Sequence, residues 1–358
     1  MRLTVVVDAA VFGGAEHLVG LLLPRLPASV RPTLLVSEPV PPPLVAAAAQ
    51  SGTEVRRFRA PRGKADVLRL AALVRQLART RPDVIHVNMA TAANNRHALA
   101  VAVRLRSGVV PVVHSLVPVT SRPQQRHLNR TWRRVPVSVS TSQAVAAQLV
   151  SDIGLDPDRL RVIRPGVPVR APGLPRPPDE PLHVVSVGRL SREKGHDVLV
   201  AALRRLLEGG ARVRATLVGD GPERAALERA AAGLPIAFTG HVSDVNAVLD
   251  TADVFCLPSR NEAIGMALLE AMMAGIACVA SDVGDVATLA PDIAVVPAGD
   301  VAALADALSA LARSPADREA LGAAAHRRAS ADFDVDSMTA GLVSVYEVAV
   351  GAPHGRSS

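Results

Sequence analysis

Short apolar runs alternate along the first half of the chain with longer segments in which apolar residues recur at helical spacing. The apolar runs predict strands at 2–8, 33–37, 53–58, 83–87, 109–114 and 135–139. The intervals between them include helix-like segments at 64–80, 91–106 and 142–150. Strands and helices that alternate at these lengths indicate parallel sheets with right-handed crossover connections.

A proline-dense segment then interrupts the alternation. It carries prolines at positions 165, 168, 172, 175, 177, 178 and 181. Proline fixes φ and has no N–H, so this segment cannot be a helix or a central strand and is predicted to be an interdomain linker. Alternation resumes with a strand at Leu182–Val187 and continues to strand 293–296, helical patterns at 300–313 and 316–330, and a final helix that includes Tyr346.

Length and composition agree with a two-domain globular protein. The chain has 358 residues, more than a single core usually supports. Hydrophobic residues make up 49% and aromatic residues only 2%, so the core must be built from Ala, Val and Leu. Cys256 and Cys278 lie in apolar, strand-like segments without a ligand cluster, and we expect buried free thiols.

Two glutamates flank a loop-to-helix junction in the second half. Glu262 follows the apolar run Asp253–Leu257, which reads as a buried parallel strand, and Glu270 falls within a helical segment at 265–274. Carboxylates accept hydrogen bonds from hydroxyl groups, whereas free amides at a helix start hold anions. A ligand with both phosphate and sugar hydroxyls therefore fits; alternatively, Glu262 caps the helix and Glu270 is solvated. The amides concerned belong to Ile264, Gly265 and Met266.

Two basic residues follow the strand Leu182–Val187. Arg189 and Lys194 flank a loop that leads into a helix from about His196 to Leu207. Arginine offers a planar fork and lysine a point charge, so the pair could converge on a diphosphate and neutralise it as it departs. The alternative is that both side chains are merely solvated.

Five segments, in this order along the chain, resemble motifs of the family 4 glycosyltransferases, a group of retaining enzymes with the GT-B fold. They are Gly13–Glu16, Val187–Gly195, Leu217–Glu223, Phe238–Val242 and Glu262–Ser281. The resemblance implies an α/β protein of two Rossmann-like domains whose parallel sheets face each other across a cleft. We therefore expect an acceptor-binding domain at 1–164, a linker at 165–182, a nucleotide-sugar domain at 183–332, and a helix at 333–358 that crosses back to the first domain.

The resemblance also implies roles for individual residues. Arg189, Lys194 and the amides near Gly265 would hold the diphosphate, Glu262 the sugar hydroxyls and Glu270 the ribose hydroxyls. His114 would contact the donor sugar near the reacting carbon, although it could instead be a hydrogen-bonded strand-end histidine. His86, expected at the end of its strand, has a weaker claim to a similar place. The remaining donor-binding candidates are Gly188, Gly219, Gly240, His241 and Val242, and an acceptor or phosphate loop is expected at Gly13 and Gly14.

The activity implied is transfer of a sugar from a nucleotide-diphospho-sugar to a hydroxyl acceptor (a glycan, lipid or small molecule) with retention and with no metal or other cofactor. Three departures from the family pattern are Ala263-Ile264, Ala277 and the loop Gly284–Thr288, where the family commonly has Gly-Gly-x-x-Glu. Two alternatives therefore stay open. One is a catalytically weak scaffold of a glycosylation pathway, and the other is a sugar-nucleotide epimerase of the same fold.

Charge bears on partners and location. Four arginines recur at helical spacing at Arg122, Arg126, Arg130 and Arg133, and the net charge is +7 with an isoelectric point near 10.6. Such a stripe is either a solvated face or a site of peripheral contact with an anionic membrane. With one Trp and one Tyr there is no aromatic platform for nucleic acid.

The expected location is cytoplasmic, at most peripheral at the inner membrane face. The first strand enters the fold directly, and no apolar stretch approaches 18 uncharged residues. Aspartates at 332, 334 and 336 are read as residues of a helix start rather than as metal ligands.

Overall fold

The computed structural model describes residues 1–9, 12–61, 63, 66–173, 181–289 and 291–351. These form two compact units: Met1–Gly166 with Val335–Ser358, and Val167–Asp334. The boundary between them falls within the proline-rich segment, whose residues 174–180 lie outside the described part, as does the tail at 352–358. In the remainder of that segment, Val167 forms an isolated bridge with Asp334.

The first unit is built on a parallel sheet. Its strands are β1 (Arg2–Val7), β2 (Arg31–Ser37), β3 (Glu54–Phe58), β4 (Val84–Met89), β5 (Gly108–Val113), β6 (Ser138–Ser140) and β7 (Leu160–Val162). Within the described residues their order is β3-β2-β1-β4-β5-β6-β7, with every pair parallel. The order reverses between β1 and β4, the kind of point at which α/β sheets bind ligands.

Helices connect these strands. They are α1 (Gly14–Leu22), α2 (Pro42–Gln50), α3 (Val67–Thr80), α4 (Arg96–Ala102), α5 (Arg122–Trp132) and α6 (Gln143–Ile153). Local sequence explains several of their ends. The side chains of Asp66 and Ser142 accept hydrogen bonds from first-turn amides of α3 and α6, and Gly154 ends α6 in the left-handed conformation.

The second unit has a sheet of similar design. Its strands are β8 (Leu182–Val187), β9 (Val213–Val218), β10 (Ile236–Gly240), β11 (Val254–Leu257), β12 (Ala277–Ser281) and β13 (Ala294–Val296). Their order in the described residues is β10-β9-β8-β11-β12-β13, again all parallel. Here the order reverses between β8 and β11.

Helices cover both faces of this second sheet. They are α7 (His196–Glu208), α8 (Arg224–Ala230), α9 (Val245–Leu249), α10 (Met266–Met273), α11 (Val301–Arg313) and α12 (Pro315–Asp332). Successive strand side chains point to opposite faces, so Val184 packs with α7 and α11 while Val185 packs with α10 and α12. Both core layers are mainly Ala, Val and Leu, which confirms the aliphatic core expected from composition.

The last helix, α13 (Val335–Gly351), belongs to the first unit and packs on β4 and β5. The helix packs tightly on Gly108, where a Cβ would lie 2.7 Å from the carbonyl oxygen of Ala349. On the same face, the buried Tyr346 hydroxyl is 2.7 Å from Nδ1 of His86. A side chain at position 108 would therefore push this helix off the sheet.

The structure corrects several predicted boundaries. Strand β6 is shorter than predicted and begins after Pro136, which has no N–H to pair. The predicted helix 91–106 is reduced to α4, because Asn95 before it has a φ of +52°. Strand β4 continues to Met89, so His86 lies inside the strand rather than at its end.

Other expectations hold. Cys256 and Cys278 are buried free thiols, and burial raises the pKa of both. In the part of the chain that the structure describes, no helix is both long and apolar enough to span a bilayer.

Candidate functional site

The candidate site of the second unit lies at the carboxyl edge of its sheet, where the strand order reverses. Strands β8 and β11 are neighbours there, and each continues into a loop followed by a helix. The loop after β8 carries Arg189 and Lys194, and the loop after β11 carries Glu262. Ligands of doubly wound sheets bind in the crevice outside such a point.

Lys194 and Glu262 contact each other directly across this point. The ammonium Nζ of Lys194 forms a short ion pair with Oε2 of Glu262. The two side chains are 25% and 14% exposed, so the pair is reachable from solvent yet partly shielded. Sequence reasoning assigned both residues to one site, and the structure brings them together; their roles stay predictions.

Arg189 lies in the same loop as Lys194, and its side chain is exposed. The surroundings of Glu193 in this loop favour its charged form. The pKa of the Glu193 carboxyl is lowered first by a hydrogen bond from Ser191 and, to a lesser degree, by the positive charges of Arg189 and Lys194. With Arg189, Arg192 and Lys194 against the single carboxylate of Glu193, the loop has a net positive charge.

Three glycines form the backbone edge beside these charges. Gly188, Gly219 and Gly240 stand at the carboxyl ends of β8, β9 and β10. The Gly219 N–H donates to the Gly240 carbonyl at 2.8 Å, and a Cβ on Gly219, whose φ is +127°, would lie 2.0 Å from the Gly188 oxygen. Only glycine permits this packing. Of the residues that follow Gly240, His241 is exposed and Val242 is half-buried.

The start of α10 has the form expected from sequence. Gly265 occupies the N-cap position with a φ of +89°, and a Cβ there would lie 3.3 Å from Cγ of Glu262. Ile264 is buried, Met266 is the first helical residue, and Glu270 is half-buried on the helix. The predicted placement of Glu262 in the loop and Glu270 on the helix is confirmed.

The atypical loop Gly284–Thr288 borders Glu262. A Cβ on Gly284, whose φ is +56°, would lie 2.1 Å from the carbonyl oxygen of Glu262. The Asp285 N–H donates to the Ala263 carbonyl at 2.8 Å. The departure from the family pattern at Asp285 thus stands directly beside the candidate site.

Sequence reasoning missed two residues of this edge. The guanidinium of Arg260 forms a bidentate ion pair with the carboxylate of Asp197, with N–O distances of 2.6 Å and 2.7 Å. His196 begins α7 and is buried, and burial together with the positive charge of Lys194 lowers its pKa to about 4. The only sequence signal for Arg260 was its place two residues before Glu262.

The Gly-Gly loop of the first unit follows β1. The Gly13 N–H donates to Oε2 of Glu16 at 3.0 Å, so this amide is already engaged within the first turn of α1, while Gly14 is exposed. Glu16 is buried, and burial raises its pKa. Whether a ligand binds this loop stays a prediction, and it would not use the Gly13 amide.

His114 lies immediately after β5, at the strand end predicted for it. Its Nε2 is 2.7 Å from Oδ1 of Asn88 on β4, and burial lowers its pKa to about 4. Within the described residues its Nδ1 is buried without a hydrogen-bond partner. His86 lies within β4. Burial, and to a lesser degree the charge of His114, lower its pKa to about 3.

These histidines line a small cavity in the first unit. His86, Asn88 and His114 are part of its polar lining, and Leu18, Met338 and Leu342 are part of its apolar lining. The space suits about one water molecule. Among the described residues, no group of three or more His, Cys, Asp or Glu side chains is placed to hold a metal ion.

Comparison with known proteins gives matches over both units. A family model described as "Glycosyl transferases group 1" matches residues 181–314, and one described as "Glycosyltransferase Family 4" matches residues 12–171.

Two curated relatives illustrate the range of similar proteins. Sulfoquinovosyl transferase SQD2 of Arabidopsis thaliana is 28% identical over 62% of this chain and 46% of its own length. A phosphatidyl-myo-inositol mannosyltransferase of Mycobacterium leprae is 40% identical over 46% of each chain. The chain thus matches less than half the length of either relative.

Solved structures resemble the whole chain. A glycosyltransferase from Rickettsia africae has a TM-score of 0.82 at 17% identity, with 98% of this chain and 99% of that chain covered. HepE of Anabaena, solved in complex with UDP, has a TM-score of 0.81 at 19% identity, with 97% and 100% covered. At these identities the likeness establishes the fold.

Proposed function

The chain belongs to the group 1, family 4 glycosyltransferases of the GT-B fold, transferases of the EC 2.4 class, and from this premise we propose that it moves a sugar from a nucleotide-diphospho-sugar to a hydroxyl acceptor. In this proposal the anomeric configuration is retained and no divalent metal is needed. The observation that carries it is the contact of Lys194 with Glu262 where the second sheet reverses its strand order.

The pair supplies both kinds of group that such a donor needs. Lys194 and the exposed Arg189 offer positive charge to the diphosphate, and charge placed where negative charge develops lowers the barrier to departure. Glu262 accepts hydrogen bonds from sugar hydroxyls, and Glu270 serves the ribose hydroxyls. On donor binding, Lys194 exchanges its carboxylate partner for phosphate oxygens, which leaves Glu262 available for the sugar.

The reaction step needs no separate base. The bond between the anomeric carbon and the diphosphate oxygen breaks, and the acceptor oxygen bonds to the same face of that carbon. The acceptor proton passes to a phosphate oxygen of the departing nucleoside diphosphate, so charge and atoms balance. His114 is assigned to the sugar near its reacting carbon; as a neutral imidazole it adds no charge to the acceptor side.

The comparisons guide the choice of substrates. HepE structures contain UDP or UDP-glucose, whereas a mycobacterial relative is named as a GDP-mannose-dependent phosphatidylinositol dimannoside mannosyltransferase. UDP- and GDP-sugars are therefore the first donors to test. The same relative and the phosphatidyl-myo-inositol mannosyltransferase make glycolipids reasonable first acceptors, beside glycans and small molecules.

Thermal unfolding with UDP-, GDP-, ADP- and dTDP-sugars tests the donor site. A ligand present at about a hundred times its Kd adds about 2.7 kcal/mol to the free energy of unfolding. We expect a shift with one nucleotide class and loss of that shift in Arg189→Ala. No shift with any donor would contradict the proposal.

Turnover then tests the reaction itself. Transfer should persist in excess EDTA, and the product's anomeric proton coupling in NMR should match that of the donor. Loss of transfer in EDTA would contradict metal independence, and an inverted product would contradict retention. Donor consumption without an acceptor would instead indicate hydrolysis or epimerisation.

One observation favours a second candidate function, a catalytically weak scaffold. The altered loop brings the backbone of Asp285 against that of Ala263, next to Glu262. A second carboxylate at this edge opposes diphosphate binding if its charge faces the ligand. Donor binding without turnover would support the scaffold.

Membrane contact is proposed for α5. Arg122, Arg126, Arg130 and Arg133 are exposed, while Leu128 and Trp132 on the same helix are buried. Such a basic face attracts anionic lipid, at about 1 kcal/mol per basic residue near the surface. We expect sedimentation with phosphatidylglycerol vesicles but not with phosphatidylcholine vesicles, and weaker binding of an Arg126→Ala, Arg130→Ala variant.

A further inference from the structure

Arg260 connects the two loops of the candidate donor site through several contacts. Its guanidinium Nη1 and Nη2 donate to Oδ1 and Oδ2 of Asp197, at 2.6 Å and 2.7 Å. Nη1 also donates to the carbonyl of Arg192 at 3.0 Å. The backbone N–H of Arg260 donates to the carbonyl of Glu193 at 2.7 Å. One residue of the loop after β11 therefore contacts Arg192 and Glu193 in the loop after β8 and Asp197 in the first turn of α7.

These contacts flank Lys194 in the sequence and lie close to Glu262. Lys194 stands between Glu193 in the loop and Asp197 in α7, and Arg260 is two residues before Glu262 in the loop after β11. Close backbone packing fixes the same junction, because a Cβ on Gly195 would lie 1.9 Å from the Pro258 carbonyl oxygen. A shift of Arg260 relative to Asp197 would thus move Lys194 relative to Glu262.

The contact between Arg260 and Asp197 is of a kind that fixes the distance between two groups. A guanidinium and a carboxylate that make two parallel hydrogen bonds set both distance and orientation, which a lysine ammonium cannot do. The hydrogen bond from Arg260 lowers the pKa of Asp197, so the carboxylate stays charged at neutral pH. Because both side chains are partly exposed, we assign them a geometric role rather than a large share of the protein's stability.

We propose that Arg260, through Asp197, is a positioning residue that keeps Lys194 and Glu262 at the spacing needed for a nucleoside diphosphate and its sugar. The proposal rests on the proposed donor site for its consequence in catalysis. Its structural part, the coupling of the two loops, does not depend on any substrate.

Hydrogen exchange in the free full-length protein tests the coupling. The amides of Lys194 and Gly195 donate to the carbonyls of Ser191 and Arg192, so their exchange reports opening of this turn. In Arg260→Ala we expect exchange in peptides covering 189–195 to rise about tenfold, the size expected from loss of charge-assisted hydrogen bonds. Arg260→Lys should give an intermediate rise, since it keeps the charge but not the fork.

A matched control is the Arg2–Asp83 pair of the first unit, which also forms a partly exposed arginine–aspartate contact, at 2.7 Å. Arg2→Ala should leave exchange in 189–195 unchanged. Unchanged exchange in Arg260→Ala, or an equal rise in Arg2→Ala, overturns the proposal whether or not the protein binds a nucleotide.

Kinetics test the consequence. With the donor class found for the wild type, Arg260→Ala and Asp197→Ala should each lower kcat/KM by up to about a hundredfold, the cost of a small misplacement of reacting groups. The double variant should lose no more than Arg260→Ala alone, because Arg260→Ala already removes the contact that Asp197→Ala removes. Additive losses, or wild-type kinetics with raised exchange, would contradict the positioning role. Absence of nucleotide binding in the wild type would instead contradict the proposed function.

Discussion

The carboxyl edges of the two sheets share a strand order around their reversal points but differ in chemistry. In the first unit, that edge and the strands leading to it carry His86, Asn88 and His114, which are buried and hydrogen-bonded as neutral groups. In the second, the ion pairs of Lys194 with Glu262 and Arg260 with Asp197 are partly exposed.

The difference follows from burial. A buried histidine loses its proton because the charged form is costly without water, so the first edge can orient a ligand without attracting charge. Half-exposed ion pairs can change partners at lower cost, which suits the diphosphate binding and release that we propose for this edge. One topology thus supports a neutral edge in the first unit and a charged edge in the second.

Substitution of Tyr346, which packs beside the neutral edge, should have the strongest effect on stability. Tyr346→Ala removes a fully buried ring of α13 and should lower the free energy of unfolding of the first unit by about 3–5 kcal/mol. Tyr346→Phe keeps the ring, leaves Nδ1 of His86 without its partner, and should cost about 1–3 kcal/mol. Fluorescence of Trp132, the one tryptophan of the chain, reports this unit during denaturation. Equal losses in both variants would show that ring packing is unimportant.

Lys194→Ala removes the ion pair with Glu262 at the charged edge of the second unit and should lower turnover. Loss of a preorganised charge lowers turnover by about a hundredfold or more. The expected change in thermal unfolding is small, since the pair is partly exposed. Steady-state kinetics with the identified donor measure it, with Arg2→Ala as a surface control. Turnover within a fewfold of the wild type would remove Lys194 from the mechanism.

Acid should destabilise the neutral edge. The folded pKa values of His86 and His114, about 3 and about 4, lie below the ordinary value of 6.5, so below pH 6.5 the unfolded chain binds protons that the folded chain does not. Stability is therefore complete above pH 6.5 and is lost as pH falls towards 4, by about 1.4 kcal/mol per pH unit for each histidine. His86→Gln should make the decline in this window less steep, followed by urea denaturation with Trp132 fluorescence. An unchanged slope would mean that His86 is protonated in the folded protein.

The smallest effect is expected at Asp285. Asp285→Asn removes a negative charge beside Glu262 while keeping the size of the side chain and its backbone bond to Ala263. Weaker repulsion should tighten UDP or GDP binding about threefold, as expected of a screened surface charge. Asp285 has two possible roles, repulsion of the diphosphate or a hydrogen bond from a sugar hydroxyl. Calorimetry with the nucleoside diphosphate and with the nucleotide-sugar separates them. Unchanged nucleotide binding with a weaker gain from the sugar would assign Asp285 to a sugar hydroxyl.

Much of the architecture could be predicted because it depends on local periodicity. Strand β8 was predicted with its observed ends, and Glu262 and Glu270 fell on the loop and helix expected for them. Strand β7 was missed because it is three residues long and includes Arg161, which leaves too little alternation to read. Helix α2 was also missed, since its alanine run has little polar contrast between its faces.

The contacts that organise the candidate site are the part that sequence could not provide. Asp197 and Arg260 are 63 positions apart, and His86 and Tyr346 are 260 apart. Their pairing depends on which strands become neighbours, and no local pattern encodes that. Lys194 and Glu262 could be identified because both lie within segments that resemble family motifs. Arg260 lies outside those segments, so the resemblance did not indicate it.

The membership of α13 in the first unit has a consequence for biosynthesis. The ribosome must translate the whole of Val167–Asp334 before it makes the helix that covers β4 and β5. At about 5–20 residues per second, this interval lasts roughly 10–30 s. For that time the face of β4 and β5 that α13 covers stays exposed in the nascent first unit, and translation pauses within the second unit would prolong its exposure.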